Sequence, residues 1–147
     1  MDYKKFLTAV ILSGIVYIIA SSILSMVTQM IMPFSWTDVG GMRTLEDPVM
    51  MWFVLYGFVL SIGAVLLYPL ISLKGTLIQK GAKFGVLMWV ATNVSSAFVI
   101  YTTMTYPAGF YLNGLIFGVL IWVLMGITIA WVYKAKAKKP AKVKKKK

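Results

Sequence analysis

Three stretches of this chain carry no charged residue: positions 6–37, 48–73 and 84–133. Few sequence features restrict a fold so strongly. A helix needs about 20 apolar residues to cross a hydrocarbon core roughly 30 Å thick. The first two stretches hold one such helix each. The third is long enough for two, and "TYPAGFYLN" interrupts it with Pro107 and Gly109, a turn signal. Four helices are therefore expected, near 6–32, 48–72, 82–104 and 111–133. A soluble helical protein would keep polar outer faces, and these segments have none. With 60% apolar residues, the chain exceeds the roughly 45–50% of soluble domains. The expected class is all-α: a polytopic membrane protein with four spanning helices in an antiparallel bundle over residues 1–133.

Lys4 and Lys5 ahead of an apolar run also suit a secretory signal peptide. That run exceeds an h-region of about 7–15 residues, and no clean cleavage site follows it, so a spanning helix is the preferred reading.

Charge sets the orientation. Short loops rich in Lys and Arg stay on the cytoplasmic side. Lys4 and Lys5, the loop residues Lys74, Lys80 and Lys83, and nine lysines in 134–147 make up 14 of the 15 cations; Arg43 stands alone in the first loop. An even number of helices returns the chain to its starting side, so both termini are expected in the cytoplasm and the protein in the cell membrane. Residues 134–147 read as a disordered polybasic tail whose partner is the anionic headgroup surface, at about 1 kcal/mol per lysine. Contact with nucleic acid or the ribosome is the secondary reading, because a basic arm attracts any polyphosphate. No aromatic residue interleaves the lysines to stack on bases.

Each helix carries one stripe of small or hydroxyl side chains. The first has Gly14, Tyr17, Ser21, Ser25 and Thr28. The second has Gly57, Ser61, Ala64 and Tyr68. The third has Thr92, Ser96 and Thr103 with Asn93 beside them, and the fourth has Gly114, Gly118 and Gly126, including the GxxxG of "GLIFG". Lipid tails are as apolar as leucine, so helices associate through close approach at small residues and interhelical hydrogen bonds. Gly57, Ser61, Gly114, Gly118 and Gly126 are the packing candidates. A narrow polar path along Tyr17, Tyr68, Thr92, Asn93 and Ser96 is the functional alternative. Aromatic residues mark the expected boundaries, with Phe34, Trp36, Trp52, Tyr106, Phe110 and Tyr111 outside and Tyr3, Phe84, Trp131 and Tyr133 inside.

The first loop, "PFSWTDVGGMRTLEDPVMM", holds a candidate outer site of Asp38, Arg43, Glu46 and Asp47. Asp47 followed by Pro48 is an N-cap pattern that starts the second helix, with Arg43 in reach of Asp47.

The chain has no cysteine and no histidine, and every acidic residue lies outside the apolar stretches. Nucleophilic triads and zinc or iron sites lack their residues. Proton-coupled transport lacks its usual ionisable group in the bilayer. "GAKFG" is too short for a phosphate loop. No catalytic residue, cofactor or metal site is expected, and the chain reads as no enzyme. The least favoured variant is copper(I) held by thioethers of the outer methionines Met26, Met30, Met32, Met42, Met50, Met51 and Met104. The pairing of MxxxM with GxxxG faintly resembles the high-affinity copper transporters. That family, however, has three spanning helices with the motifs on neighbouring ones, whereas here they fall on the first and fourth.

The whole layout resembles small four-helix integral membrane proteins of archaea and bacteria with no assigned activity. The stretches that carry the likeness are "GIVYIIASS", the long first loop, "KGAKFGVLMW" and a glycine-rich last helix. The resemblance implies the layout and no catalytic residue. The expected role is a non-enzymatic membrane scaffold, accessory subunit or small oligomer, in contact with its own copies or another membrane protein. The alternative is a small transporter or channel that uses the polar stripes.

Overall fold

A computed structural model describes residues 2–33, 43 and 46–134. Among them the regular structure is helical, and four helices are long and apolar enough to cross a membrane: α1 (Tyr3–Ile31), α2 (Pro48–Leu70), α3 (Leu77–Thr103) and α4 (Ala108–Val132). The basic segment 135–147, and with it the expected tail, lies outside the described residues, as do Asp38 and Met42.

The starts of α1, α3 and α4 fall before the sequence expectation, two of them at side-chain caps. α1 begins at Tyr3 because the Asp2 carboxylate accepts from the Lys4 and Lys5 amides. α3 begins at Leu77, five residues before 82. Thr76 accepts from the Gln79 amide while the Gln79 side chain accepts from the Thr76 amide, a complete capping box. The "TLIQ" signal was there to read, but Lys80 and Lys83 resemble loop residues. Before it, Gly75 turns the chain at φ 128, a conformation that L side chains rarely adopt. α4 begins at Ala108, directly after Pro107. α2 starts as 3₁₀ turns behind Asp47, becomes α-helical at Tyr56, and tightens again at Tyr68-Pro69-Leu70. It thus ends short of 72, since Pro69 has no N–H to continue the ladder.

The helices meet where glycine removes the side chain. α3 and α4 have the most extensive contact, and α1 packs on both α4 and α2. A Cβ on Gly81 would lie 2.8 Å from the Gly126 carbonyl oxygen and 2.7 Å from the Ile127 nitrogen. One on Gly85 would meet the Trp122 carbonyl, and one on Gly126 the Gly81 carbonyl. α1 and α2 cross similarly, with Gly57 against Tyr17 and the Gly14 carbonyl.

The buried residues are unevenly distributed. Ala9, Val10, Ser13, Ser61, Ala64, Val65, Phe84, Met125 and Ile129 are all buried, and all lie toward the chain termini and the α2–α3 turn. At the opposite end large side chains stand open, among them Met30, Met51, Trp52, Phe53 and Tyr101. One end is packed and the other is loose, with Thr28 and Gly109 among the residues still buried there. Phe84, expected in the interfacial belt, is instead fully buried: it shares the Gly81–Gly85 face of α3 and its ring meets Tyr68 edge-on at 5.0 Å.

Candidate functional site

Most hydroxyls of the stripes do not bond between helices as their spacing suggests; Ser25 is the exception described below. Ser13 donates to the Ala9 carbonyl, Ser21 to Ile18, Thr28 to Leu24 and Ser61 to Gly57. A hydroxyl in an apolar helix always has a carbonyl three or four residues back within reach, so it satisfies itself there. These side chains save space rather than link helices.

Two asparagines make the interhelical bonds. Both sit in π turns, Asn93 in Val90–Val94 of α3 and Asn113 in Leu112–Phe117 of α4. A π turn bonds each carbonyl to the fifth residue on, which inserts a residue and takes carbonyls off the regular ladder. Ser95 follows this register with its hydroxyl on the Val90 carbonyl at 3.2 Å. The Asn93 amide nitrogen donates to the Gly114 carbonyl at 2.9 Å, and its oxygen accepts from the Trp122 indole N–H at 2.6 Å. The Thr92 hydroxyl lies 2.7 Å from the Met88 carbonyl and 3.0 Å from the Asn93 oxygen, so its single proton serves one at a time. Asn113 donates to the Ser25 hydroxyl of α1 at 3.1 Å. Gly118 makes room for this cluster, since a Cβ there would lie 2.7 Å from the Asn93 nitrogen.

Above the cluster the helices part around a cavity of about 380 Å³. α1 contributes Tyr17, Ser21, Ser22 and Ser25, and the start of α2 contributes Phe53 and Tyr56. Asn93, Phe110, Asn113, Gly114 and Trp122 close it from α3 and α4. A second cavity of about 240 Å³ lies against Thr92, Asn93 and Ser96 and shares Tyr56, Phe110 and Gly114 with the first. No acidic or basic side chain lines either.

Of the five residues expected along a polar path, Tyr17, Thr92, Asn93 and Ser96 border these cavities. Tyr68 does not. It packs at the other end against Phe84 and Tyr133, because the 3₁₀ turn at Pro69 turns it into the aromatic cluster there. Between Tyr68 and Asn93 lie Phe84, Met125 and Ile129, all fully buried. The packing candidates also divide. Gly57 and Ser61 sit in the α1–α2 crossing, Gly118 against Asn93 and Trp89, and Gly126 against Gly81 and Gly85. Gly114 has nothing within 4 Å of where a Cβ would be and faces open space, contrary to its expected place against a helix. The π turn accounts for this by breaking the α-helical spacing between Gly114 and Gly118. Asn113 falls outside the small-residue stripes, and the signal that marks it is that it is the second asparagine in the uncharged run 84–133.

The outer-loop candidates reduce to a cap. Arg43 donates to the Asp47 carboxylate at 2.7 Å, and Asp47 also accepts from the Val49 amide at 2.9 Å. Glu46 is exposed. The hydrogen bond from Arg43, then that from Val49, holds the Asp47 carboxyl below its ordinary value. A carboxyl depressed on folding stabilises above the unfolded value of about 3.9 and loses that effect as pH falls through the lower folded value. Arg43→Ala should therefore raise the Asp47 midpoint in an NMR titration, and an unchanged midpoint would mean that the pair does not form in solution.

Among the described residues no three His, Cys, Asp or Glu side chains gather as metal ligands. Met26, Met30, Met51 and Met104 are exposed side chains of the loose end. Comparison with protein family models, curated proteins and solved structures gives no match.

Proposed function

We propose that this chain is a multi-pass protein of the cell membrane whose four helices form an antiparallel bundle with both termini cytoplasmic. It works without enzymatic chemistry, as an accessory or scaffold subunit that holds a ligand or partner in its loose outer half. The observation that carries this reading is the dead end below the cavity. The glycine crossing of α3 and α4 is close-packed there, Phe84, Met125 and Ile129 are fully buried, and the buried hydroxyls of Ser13 and Ser61 are bonded to carbonyls of their own helices. The lysines at 4, 5, 74, 80 and 83 support a cytoplasmic packed end, where they and the basic tail meet anionic headgroups. The open faces of the outer half are the surface for a membrane partner or a second copy.

Two measurements test this. Single cysteines at Glu46 and Lys74 should react with an impermeant thiol reagent from opposite sides of the membrane, with no background because the chain has no cysteine. Labelling of both from one side would break the topology. Liposomes holding the purified protein should leak protons and potassium no faster than empty ones. Flux that disappears in Asn93→Leu would make the chain a small channel or transporter instead.

A further inference from the structure

We propose that the larger cavity is a binding site for an uncharged amphiphile drawn from the bilayer, with a hydroxyl- or carbonyl-bearing head and an apolar tail. The inference rests on the non-conducting reading above, for which the cavity is a terminus and no conduit.

Depth comes first. Ser22 lies nine residues before the end of α1, about 14 Å along the helix at 1.5 Å per residue. The cavity thus runs from Phe110, two residues into α4, down to Tyr17 at the middle of α1. Its rim is open, since Ser22, Phe53 and Tyr56 are all exposed. The ligand enters sideways, from lipid.

Chemistry comes second. Spanning helices bury polar groups in hydrocarbon only where they find partners or line a cavity. The hydroxyls of Tyr17, Ser22 and Tyr56 and the amide of Asn113 ring one space. These groups both donate and accept, which suits a head that does the same. None of them balances a charge. A charged head moved there without a counter-ion loses several kcal/mol, hence at least about a hundredfold in affinity. The ligand is therefore neutral.

Size comes third. Small-molecule pockets run from about 300 to 1,000 Å³. At about 380 Å³ the cavity accepts a head group and leaves a tail outside, against the exposed apolar rim.

Gly114 provides a clean test, because it lines the cavity and a Cβ there meets nothing within 4 Å. Leucine should fill the site without disturbing the helices. Purified full-length protein in detergent is given dioctanoylglycerol or dioctanoyl phosphatidylglycerol, and bound lipid is counted by native mass spectrometry beside the melting temperature. Wild type should retain dioctanoylglycerol and melt higher with it. Gly114→Leu should lose at least tenfold in that binding with its own melting temperature unchanged. Phosphatidylglycerol should bind both proteins equally and wash off with salt, as binding to surface lysines does. Should Gly114→Leu fail to fold, Ser22→Phe narrows the rim and should give the same loss. Neutral lipid that binds variant and wild type alike, no neutral lipid bound, or an anionic lipid lost with Gly114→Leu would each overturn the site. The liposome measurement stays separate: flux defeats the non-conducting reading, and absence of lipid binding without flux defeats this proposal alone.

Discussion

Leucine at Gly126 should cost the protein its closest helix contact, with a loss of at least about 3 kcal/mol and a large drop in melting temperature. A Cβ there collides with the Gly81 carbonyl and would sit 2.9 Å from the Gly85 nitrogen. Both are backbone atoms, which cannot swing aside as a side chain end does. α3 and α4 must separate, so the overpacking cost passes the usual 1–3 kcal/mol or so. Removing a glycine from a helix returns only about 0.5–1 kcal/mol, so the collision wins. Gly63 on α2 provides the control: it is exposed and a Cβ there meets nothing within 4 Å. Gly63→Leu should leave the melting temperature in detergent within a few degrees of wild type. Equal losses at both positions would mean that the α3–α4 crossing is not the tight contact described above.

Asn93→Leu is expected to be the second most damaging change. It removes one bond to Gly114 and one from Trp122. Interhelical bonds in membranes average about 0.6 kcal/mol, so their simple sum is near 1 kcal/mol. The orphaned groups add to this. An indole N–H and a carbonyl left without partners in an apolar setting cost about 1–3 kcal/mol each, and a total of about 3 kcal/mol or more is expected. Trp122→Phe in the same chain deletes one orphan. The double variant should regain about 1 kcal/mol over Asn93→Leu, as read by reversible unfolding in detergent. Strictly additive losses would show that the Asn93–Trp122 bond is not made.

The four helices were legible because charge is absent over long runs, and hydrocarbon tolerates nothing else. The caps were partly legible. Asp47-Pro48 was recognised as a helix start, whereas Thr76–Gln79 was hidden by the lysines that follow it. The candidate site was harder to see. Serine at three- and four-residue spacing looks the same whether its hydroxyl bonds a neighbour or its own helix, and Ser13 and Ser61 chose their own. The π turns were invisible to a constant period of 3.6 residues, and they decide where Asn93, Asn113 and Gly114 point. Gly81 and Gly85 are hidden for a related reason: they lie beside Lys80 and Lys83, which read as loop residues.

α2 has its broad contact with α1, held at Gly57 against Gly14 and by the buried Ser61, Ala64 and Val65. Everything in it before Gly57 stands exposed except Met50, which is half-buried. The segment is a cantilever: it is clamped along its second half, and at the end of its first half the Tyr56 ring meets Tyr17 of α1 edge-on at 5.7 Å, with Phe53 and Tyr56 at the rim of the cavity. A bend of that arm would change the width of the cavity mouth while the clamp stays closed, because Phe53 and Tyr56 line one side of the mouth and Ser22 the other.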